Sequence, residues 1–206
     1  PGGPGEVSAS VKAYFALKLA GHSPEEPALL RARDAILRMG GVERVNSFTK
    51  IYLSFLNQYD WDSIPAIPPE VVLLPRFFYF NIYEISYWSR AILIPLSILY
   101  AKKPNKTVRS DVTIREIFSG DRGAAVKDPN LLSWRKFFLL MDRILKLVEK
   151  TPIKPFRKLA LKKAEEWMVA RTEHSDGLGA IFPSMVNSVM AMRCLGYDTS
   201  HPCVAN

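Results

Sequence analysis

The chain has 206 residues, 48% of them apolar and 23% charged, a balance that excludes a disordered chain and suffices for one domain with a sizeable core. No uninterrupted apolar run of about 18 residues occurs, which argues against a spanning helix, and two cysteines, Cys194 and Cys203, are too few for a disulfide framework and fit a reducing compartment. The net charge of +8 is uneven: between Leu131 and Glu173 stand 11 Lys/Arg and 5 Asp/Glu, a net of +6, which points to an anionic partner, nucleic acid or a lipid surface.

The readable elements are helical. Val7 to Ala20 holds good helix formers and stops at Gly21, and Ala28 to Met39 stops at Gly40-Gly41. Ser47 to Gln58 is a third candidate, with Ser47 as its expected N-cap. Ile64-Pro65-Ala66-Ile67-Pro68-Pro69 excludes a helix interior, and Pro69-Glu70 opens a short helix through Leu74. Glu84 to Tyr100 is a long apolar helix with a kink expected at Pro95. Lys102 to Asn130 is polar and poorly periodic and reads as a long loop. Leu131 to Lys150 is an amphipathic helix, broken by Thr151-Pro152, and Pro155 to Arg171 and Pro183 to Leu195 follow, the last closed by Gly196. No segment sustains the alternation of a strand. The ends, Pro1-Gly2-Gly3-Pro4-Gly5-Glu6 and His201-Pro202-Cys203-Val204-Ala205-Asn206, both read as loops, as expected of a segment cut from a longer chain.

An internal similarity accompanies this pattern. Val11 to Gly21 matches Val186 to Gly196 at a constant offset of 175, which Pro27 and Pro202 keep. A recurring helical unit is what a stacked or closed α-helical array produces, although two amphipathic helices can also resemble each other by chance.

Two segments are candidates for function. Phe77 to Trp88 packs 7 of the chain's 23 aromatics into 12 residues. The faces of such rings attract cations without reacting with them, so a cavity walled by them suits carbocation chemistry; a bulky hydrophobic core is the plainer alternative. The second is the helix ending at Lys150. Phe137, Leu140, Met141, Ile144, Leu145 and Val148 fall at helical spacing, with Trp134 and Phe138 in its first turns and Lys and Arg beside the stripe. That is the pattern of a helix lying in a membrane interface, or of a surface helix packed on the core. Nucleic acid is the weaker partner, because base stacking needs aromatics interleaved with the cations.

Other chemistries find little support. His22, His174 and His201 are far apart and in loop-like contexts, no zinc spacing exists, and neither a phosphate loop nor a dinucleotide glycine pattern occurs. No metal and no cofactor is expected. Starting a cyclisation by protonation needs a strongly acidic carboxyl group, typically within an aspartate cluster. Glu25-Glu26 and Glu165-Glu166 read as solvated positions, and no Asp-x-Asp-Asp run occurs, so no catalytic residue is assigned in this chain.

Gly40-Gly41-Val42-Glu43, Phe48-Thr49-Lys50, Val71-Val72-Leu73-Leu74-Pro75, Asn81-Ile82-Tyr83-Glu84, Tyr87-Trp88-Ser89-Arg90-Ala91, Pro155-Phe156-Arg157 and Asp176-Gly177-Leu178-Gly179-Ala180-Ile181-Phe182-Pro183 occur in this order. Together they resemble the amino-terminal half of bacterial squalene–hopene cyclases, over essentially the whole chain. The resemblance implies an all-α fold, one incomplete α/α-barrel (toroid) domain over residues 1–206, most of the second barrel that this family inserts into the first. It implies a parent enzyme, an intramolecular transferase or isomerase, that protonates squalene and folds it through carbocations to hopene or hopanol. Trp88 falls on a cavity-lining tryptophan, Phe48 on an aromatic near the cavity, and Ile181 and Pro183 on the loop closing its wall. Ile85 and Leu93 fall on the constriction between membrane channel and cavity, and residues 131–150 on the membrane-inserting helix beside the substrate entrance. Squalene and an anionic membrane surface are the implied partners, with no nucleic acid; the implied location is peripheral or monotopic on the cytoplasmic face of a bacterial membrane, and a homodimer of the full-length enzyme is left open.

Three departures stand out. The family's Gln-x-x-x-Gly-x-Trp repeat is degenerate, with Thr172 near the glutamine place and Leu178 near the tryptophan place. Phe182 stands where some members carry glutamine, and the protonating aspartate motif belongs to the carboxyl half. An oxidosqualene or other polyprenoid cyclase, or a non-catalytic membrane-bound helical scaffold, are the alternatives.

Overall fold

A computed structural model describes residues 5–79, 81–120, 133–172 and 177–205. Leu131 and Leu132 of the expected 131–150 helix, Phe80 of the aromatic run, His174, Asp176 and both chain ends (1–4 and 206) lie outside the described residues. Among those described, every regular element is helical. They form two compact units, one from Pro1–Pro65 with Asn105–Phe137 and the other from Ala66–Pro104 with Phe138–Asn206.

In the first unit α1 (Val7–Leu19) packs on α2 (Pro27–Arg38), and α3 (Ser47–Phe55) follows. Glu6 starts α1: its carboxylate accepts the amides of Ser8 at 3.0 Å and Ala9 at 2.5 Å, two donors a helix start leaves unpaired. Val11, Tyr14, Phe15 and Lys18 recur at the spacing of one helix face, and all four are buried. The burial of Lys18 is compensated: its ammonium donates to the Thr113 carbonyl and lies 2.5 Å from Glu116 Oε1, which also accepts the Tyr14 hydroxyl at 2.9 Å.

That network anchors the segment read as a long loop from Lys102 onward, which is not merely a polar excursion. The described part forms two 3₁₀ turns, Ser110–Val112 and Arg115–Ile117, and buries Val112, Ile114 and Ile117 in the core. Three apolar residues at irregular spacing carry no periodic signal, so the segment reads as polar. Gly41 stands where this segment passes: a Cβ there, at φ +71°, would lie 2.8 Å from the Ser119 amide nitrogen. The cap of α3 also differs from expectation. Asn46, not Ser47, is the N-cap, its side-chain oxygen accepting the Thr49 amide at 2.9 Å, and the helix ends at Phe55 rather than Gln58.

In the second unit α4 (Tyr87–Lys102) packs chiefly on α7 (Phe182–Leu195), and the 3₁₀ turn Pro69–Leu73 packs on α6 (Arg157–Thr172). Ser86 caps α4 by accepting the Ser89 amide, so the helix starts three residues later than Glu84 and runs through Pro95 to Lys102. Small residues make the close packing possible: α6 buries Ala160, Ala164, Met168 and Thr172, and α7 buries Ser184, Asn187, Ser188, Ala191 and Met192. Gly196 ends α7 in the left-handed conformation, and a short helix, α8 (Pro202–Ala205), replaces the expected terminal loop.

The internal similarity is reproduced in helix positions but not in packing. Val186, Val189, Met190 and Arg193 align with the core face of α1, yet none of them is fully buried. α7 buries its small-residue face instead. α5 (Trp134–Lys150), whose residues from Phe138 onward belong to the second unit, buries none of its side chains completely. Among the described residues no helix is long and apolar enough to cross a membrane.

Candidate functional site

The aromatic run is folded by one side chain. The Asn81 amide donates to the carbonyls of Arg76 at 2.9 Å and Phe78 at 2.7 Å, while its oxygen accepts the Tyr83 amide at 2.8 Å. Satisfied on both sides, it turns the chain ahead of α4 and leaves the rings outside. Phe77 is 89% exposed, Tyr79 78% and Trp88 63%, with Phe78, Tyr83 and Tyr87 also exposed. A bulky core, the plainer sequence reading, does not describe these residues.

Trp88, in the first turn of α4, meets the loop ahead of α7. Gly179 (φ +72°) passes so close that a Cβ on it would lie 3.8 Å from Trp88 Cδ1 and 3.1 Å from both Ala91 Cβ and Ser184 Oγ. The Ser184 hydroxyl holds the loop by donating toward the carbonyls of Leu178 and Ile181. Ile181 and Pro183 are half-buried in that loop, and Phe182 between them is 77% exposed. Trp88 thus stands beside the Gly179 turn that leads into Ile181 and Pro183. Ile85, just ahead of the α4 cap, and Leu93 on α4 are half-buried. Phe48 stands on α3 in the first unit, exposed.

The clefts of the described residues lie elsewhere. In the second unit one of about 270 Å³ is lined by Val72, Ile82, Tyr83, Ile94, Lys163, Glu166 and Trp167. In the first unit a wide groove of about 700 Å³ includes Asn57, Gln58, Thr113, Arg115 and Phe118. Neither is lined by Trp88, Phe48, Ile181 or Pro183; of the exposed aromatic run, Tyr83 lines the second-unit cleft. No group of three or more His, Cys, Asp or Glu side chains is placed to hold a metal among the described residues.

α5 is turned inside out relative to an ordinary surface helix. At about 100° per residue, Asp142 and Glu149 lie within about 20° of each other, and Leu147, Leu140, Ile144, Phe137, Val148 and Met141 fill the arc from about 140° to 260° away. The carboxylates are on the protein side: Asp142 accepts the Ala66 amide at 2.6 Å and pairs with Lys146 at 2.9 Å. The six apolar residues are all exposed. Of the residues named from sequence, Trp134, Phe137, Phe138, Leu140, Met141, Ile144 and Val148 are exposed, whereas Leu145 is half-buried at the edge. Leu147, at 66% the most exposed large apolar residue of the helix, is absent from that set, as are Ile153 and Phe156 just beyond it, which are 79% and 62% exposed. Continuing the helical spacing finds Leu147; the other two follow a proline break and carry no periodic signal.

One arginine closes the polar side. Arg157 Nε lies 2.8 Å from Glu70 Oε1, and its Nη2 donates to Glu149 Oε1. Lys154 adds a bond of 2.7 Å to Glu149 Oε2. Burial pushes the Glu149 carboxyl up, but the bonds from Arg157 and Lys154 outweigh it and hold it below the ordinary carboxylate range.

The whole chain, residues 1–206, matches the sequence profile of the squalene-hopene cyclase N-terminal domain. It is 40% identical over 201 residues to a squalene–hopene cyclase of Zymomonas mobilis, covering 98% of this chain and 30% of that protein. It is 36% identical over 202 residues to a dammaradiene synthase of Dryopteris crassirhizoma, covering 97% of this chain and 30% of that protein. It is 31% identical over 205 residues to a squalene–hopene cyclase of Alicyclobacillus acidocaldarius, covering 98% of this chain and 32% of that protein. The chain belongs to the squalene-hopene cyclase N-terminal domain family and is homologous to triterpene cyclases. It spans about a third of the length of these relatives.

Proposed function

We propose that this chain is the amino-terminal part of a squalene cyclase and supplies part of its cavity wall and its lipid-side entrance. The observation that carries the reading is the exposed aromatic surface at the start of α4, where Trp88 stands beside the Gly179 turn. Indole faces stabilise a passing carbocation through their quadrupole, and the absence of a nucleophile on the ring keeps the cation from being trapped. In this reading Trp88, Phe48, Ile181 and Pro183 line the cavity and Ile85 and Leu93 form its constriction, in one barrel of a two-barrel α/α enzyme. A carboxylic acid elsewhere in the full-length enzyme donates the first proton to squalene; loss of a proton, or capture of water, ends the sequence at hopene or hopanol.

The outward apolar face of α5 supports the membrane part of the reading. Burying Leu147, Leu140, Ile144, Phe137, Val148 and Met141 in lipid removes exposed apolar surface at about 25 cal/mol per Å². Arg143 and Lys150 are exposed along one flank of that face, where they meet anionic headgroups, as on the cytoplasmic leaflet of a bacterial membrane. A substrate as apolar as squalene is stored in that lipid.

The test is to assay squalene conversion by the full-length enzyme and by residues 1–206 alone. The reading expects hopene or hopanol from the former and no turnover from the latter. Turnover by the isolated chain, or none by the full-length enzyme, overturns it; a scaffold without catalysis is then the better account.

A further inference from the structure

The orientation of α5 is not explained by its own sequence. An amphipathic helix left to the hydrophobic effect turns its apolar stripe toward the protein and its charges toward water. Here the apolar stripe faces outward and the carboxylates face the protein, and three polar ties hold them: the Ala66 amide on Asp142, Lys154 on Glu149, and Arg157 on both Glu149 and Glu70. Of these, Arg157 alone links α5 to two other elements. It opens α6, and through Glu70 it reaches the Pro69–Leu73 turn that packs on α6. Its side chain is 14% exposed and that of Glu149 10%. A guanidinium presents several donors in one plane, so it can bridge two carboxylates, whereas a lysine ammonium offers no such rigid fork.

We propose that Arg157 is a positioning residue for membrane docking: by bridging Glu70 and Glu149 it fixes the rotation of α5 about its axis, so that Leu140, Ile144 and Leu147 face lipid. This rests on the reading of α5 as the lipid-facing helix. Phe156, immediately before Arg157, and Ile153 are exposed, so the same anchor sets where the apolar surface continues beyond the helix. Substituting Arg157 removes no lipid-facing atom; its effect on docking comes through Glu149.

The experiment uses the full-length enzyme and vesicles of equal parts phosphatidylglycerol and phosphatidylcholine. An environment-sensitive fluorophore is placed at Leu147→Cys or, on the opposite side of the helix, at Arg135→Cys, in a background cleared of reactive thiols. With the bridge intact, the label at 147 shifts to the blue on adding vesicles and the label at 135 does not. Arg157→Leu is expected to lower vesicle affinity by about tenfold and to erase the difference between the two labels, with Arg157→Lys between it and the parent. Parental affinity with the labels still distinct in Arg157→Leu overturns the positioning role, while a loss of binding in Leu147→Glu still upholds the lipid-facing helix. If Leu147→Glu binds vesicles as the parent does, the reading beneath the proposal falls, and the proposal with it. Should Arg157→Leu lose helical content, Glu149→Gln, which keeps the Arg157–Glu70 bond, takes its place and is judged by the same outcomes.

Discussion

Gly179 lies against Ala91 with little room for a side chain between them: a Cβ at 179 would stand 3.1 Å from Ala91 Cβ and from Ser184 Oγ, and would touch the Trp88 indole at 3.8 Å. The backbone there has φ +72°, a conformation that costs an L-residue about 1–2 kcal/mol. Gly179→Ala therefore combines strain with a displacement of the loop from α4. It is expected to destabilise the full-length enzyme by about 2 kcal/mol, read as a fall in Tm, and to change the ratio of cyclised products. An unchanged Tm would show that the loop and α4 part without cost.

The Lys18–Glu116 pair gives a pH-dependent prediction. Burial raises the Glu116 carboxyl, but the hydrogen bonds from Lys18 and Tyr14 bring it below its ordinary value. A carboxyl lowered on folding contributes its full stability above its unfolded value and loses it as the pH falls through the folded value. Lys18→Met leaves Glu116 without its cation, at a cost of about 2–3 kcal/mol, toward the low end because Glu116 remains 29% exposed. The Tm difference between parent and variant should be largest near neutral pH and shrink below the carboxylate range. A difference independent of pH would assign the loss to packing alone.

Asn187 predicts a gain. Fully buried on α7, it has no hydrogen-bond partner for either its amide nitrogen or its oxygen among the described residues. Asn187→Leu replaces an unsatisfied polar group by an apolar one of similar size and should raise stability by about 1–2 kcal/mol. Denaturant unfolding of the full-length enzyme checks this. A loss of stability would mean that a group beyond the described residues bonds Asn187.

The helices were legible in the sequence wherever a glycine closed a run of helix formers, as in α1, α2 and α7. The segment after Lys102 was not, because Val112, Ile114 and Ile117 enter the core from 3₁₀ turns without a helical period. The apolar stripe of α5 was also legible, but its direction was not. Composition gives the stripe, and only the contacts of Asp142 and Glu149 show which side faces the protein. The cavity residues were named by resemblance rather than by any local pattern. Trp88 meets the Gly179 turn ahead of Ile181 because Ser184 holds that loop, a relation that sequence spacing across about ninety residues does not carry.

The most direct measurement is the product profile of full-length enzyme carrying Trp88→Phe or Trp88→Leu, with squalene as substrate. Trp88 is 63% exposed, so its loss should change stability by no more than about 0.5 kcal/mol. As a cation-stabilising face contributing about 2 kcal/mol, it should matter roughly 30-fold in rate. The account predicts that Trp88→Phe keeps most of the activity, while Trp88→Leu slows cyclisation and releases incompletely cyclised products. Parental rate and products from Trp88→Leu would contradict the claim that this chain walls the cyclisation cavity.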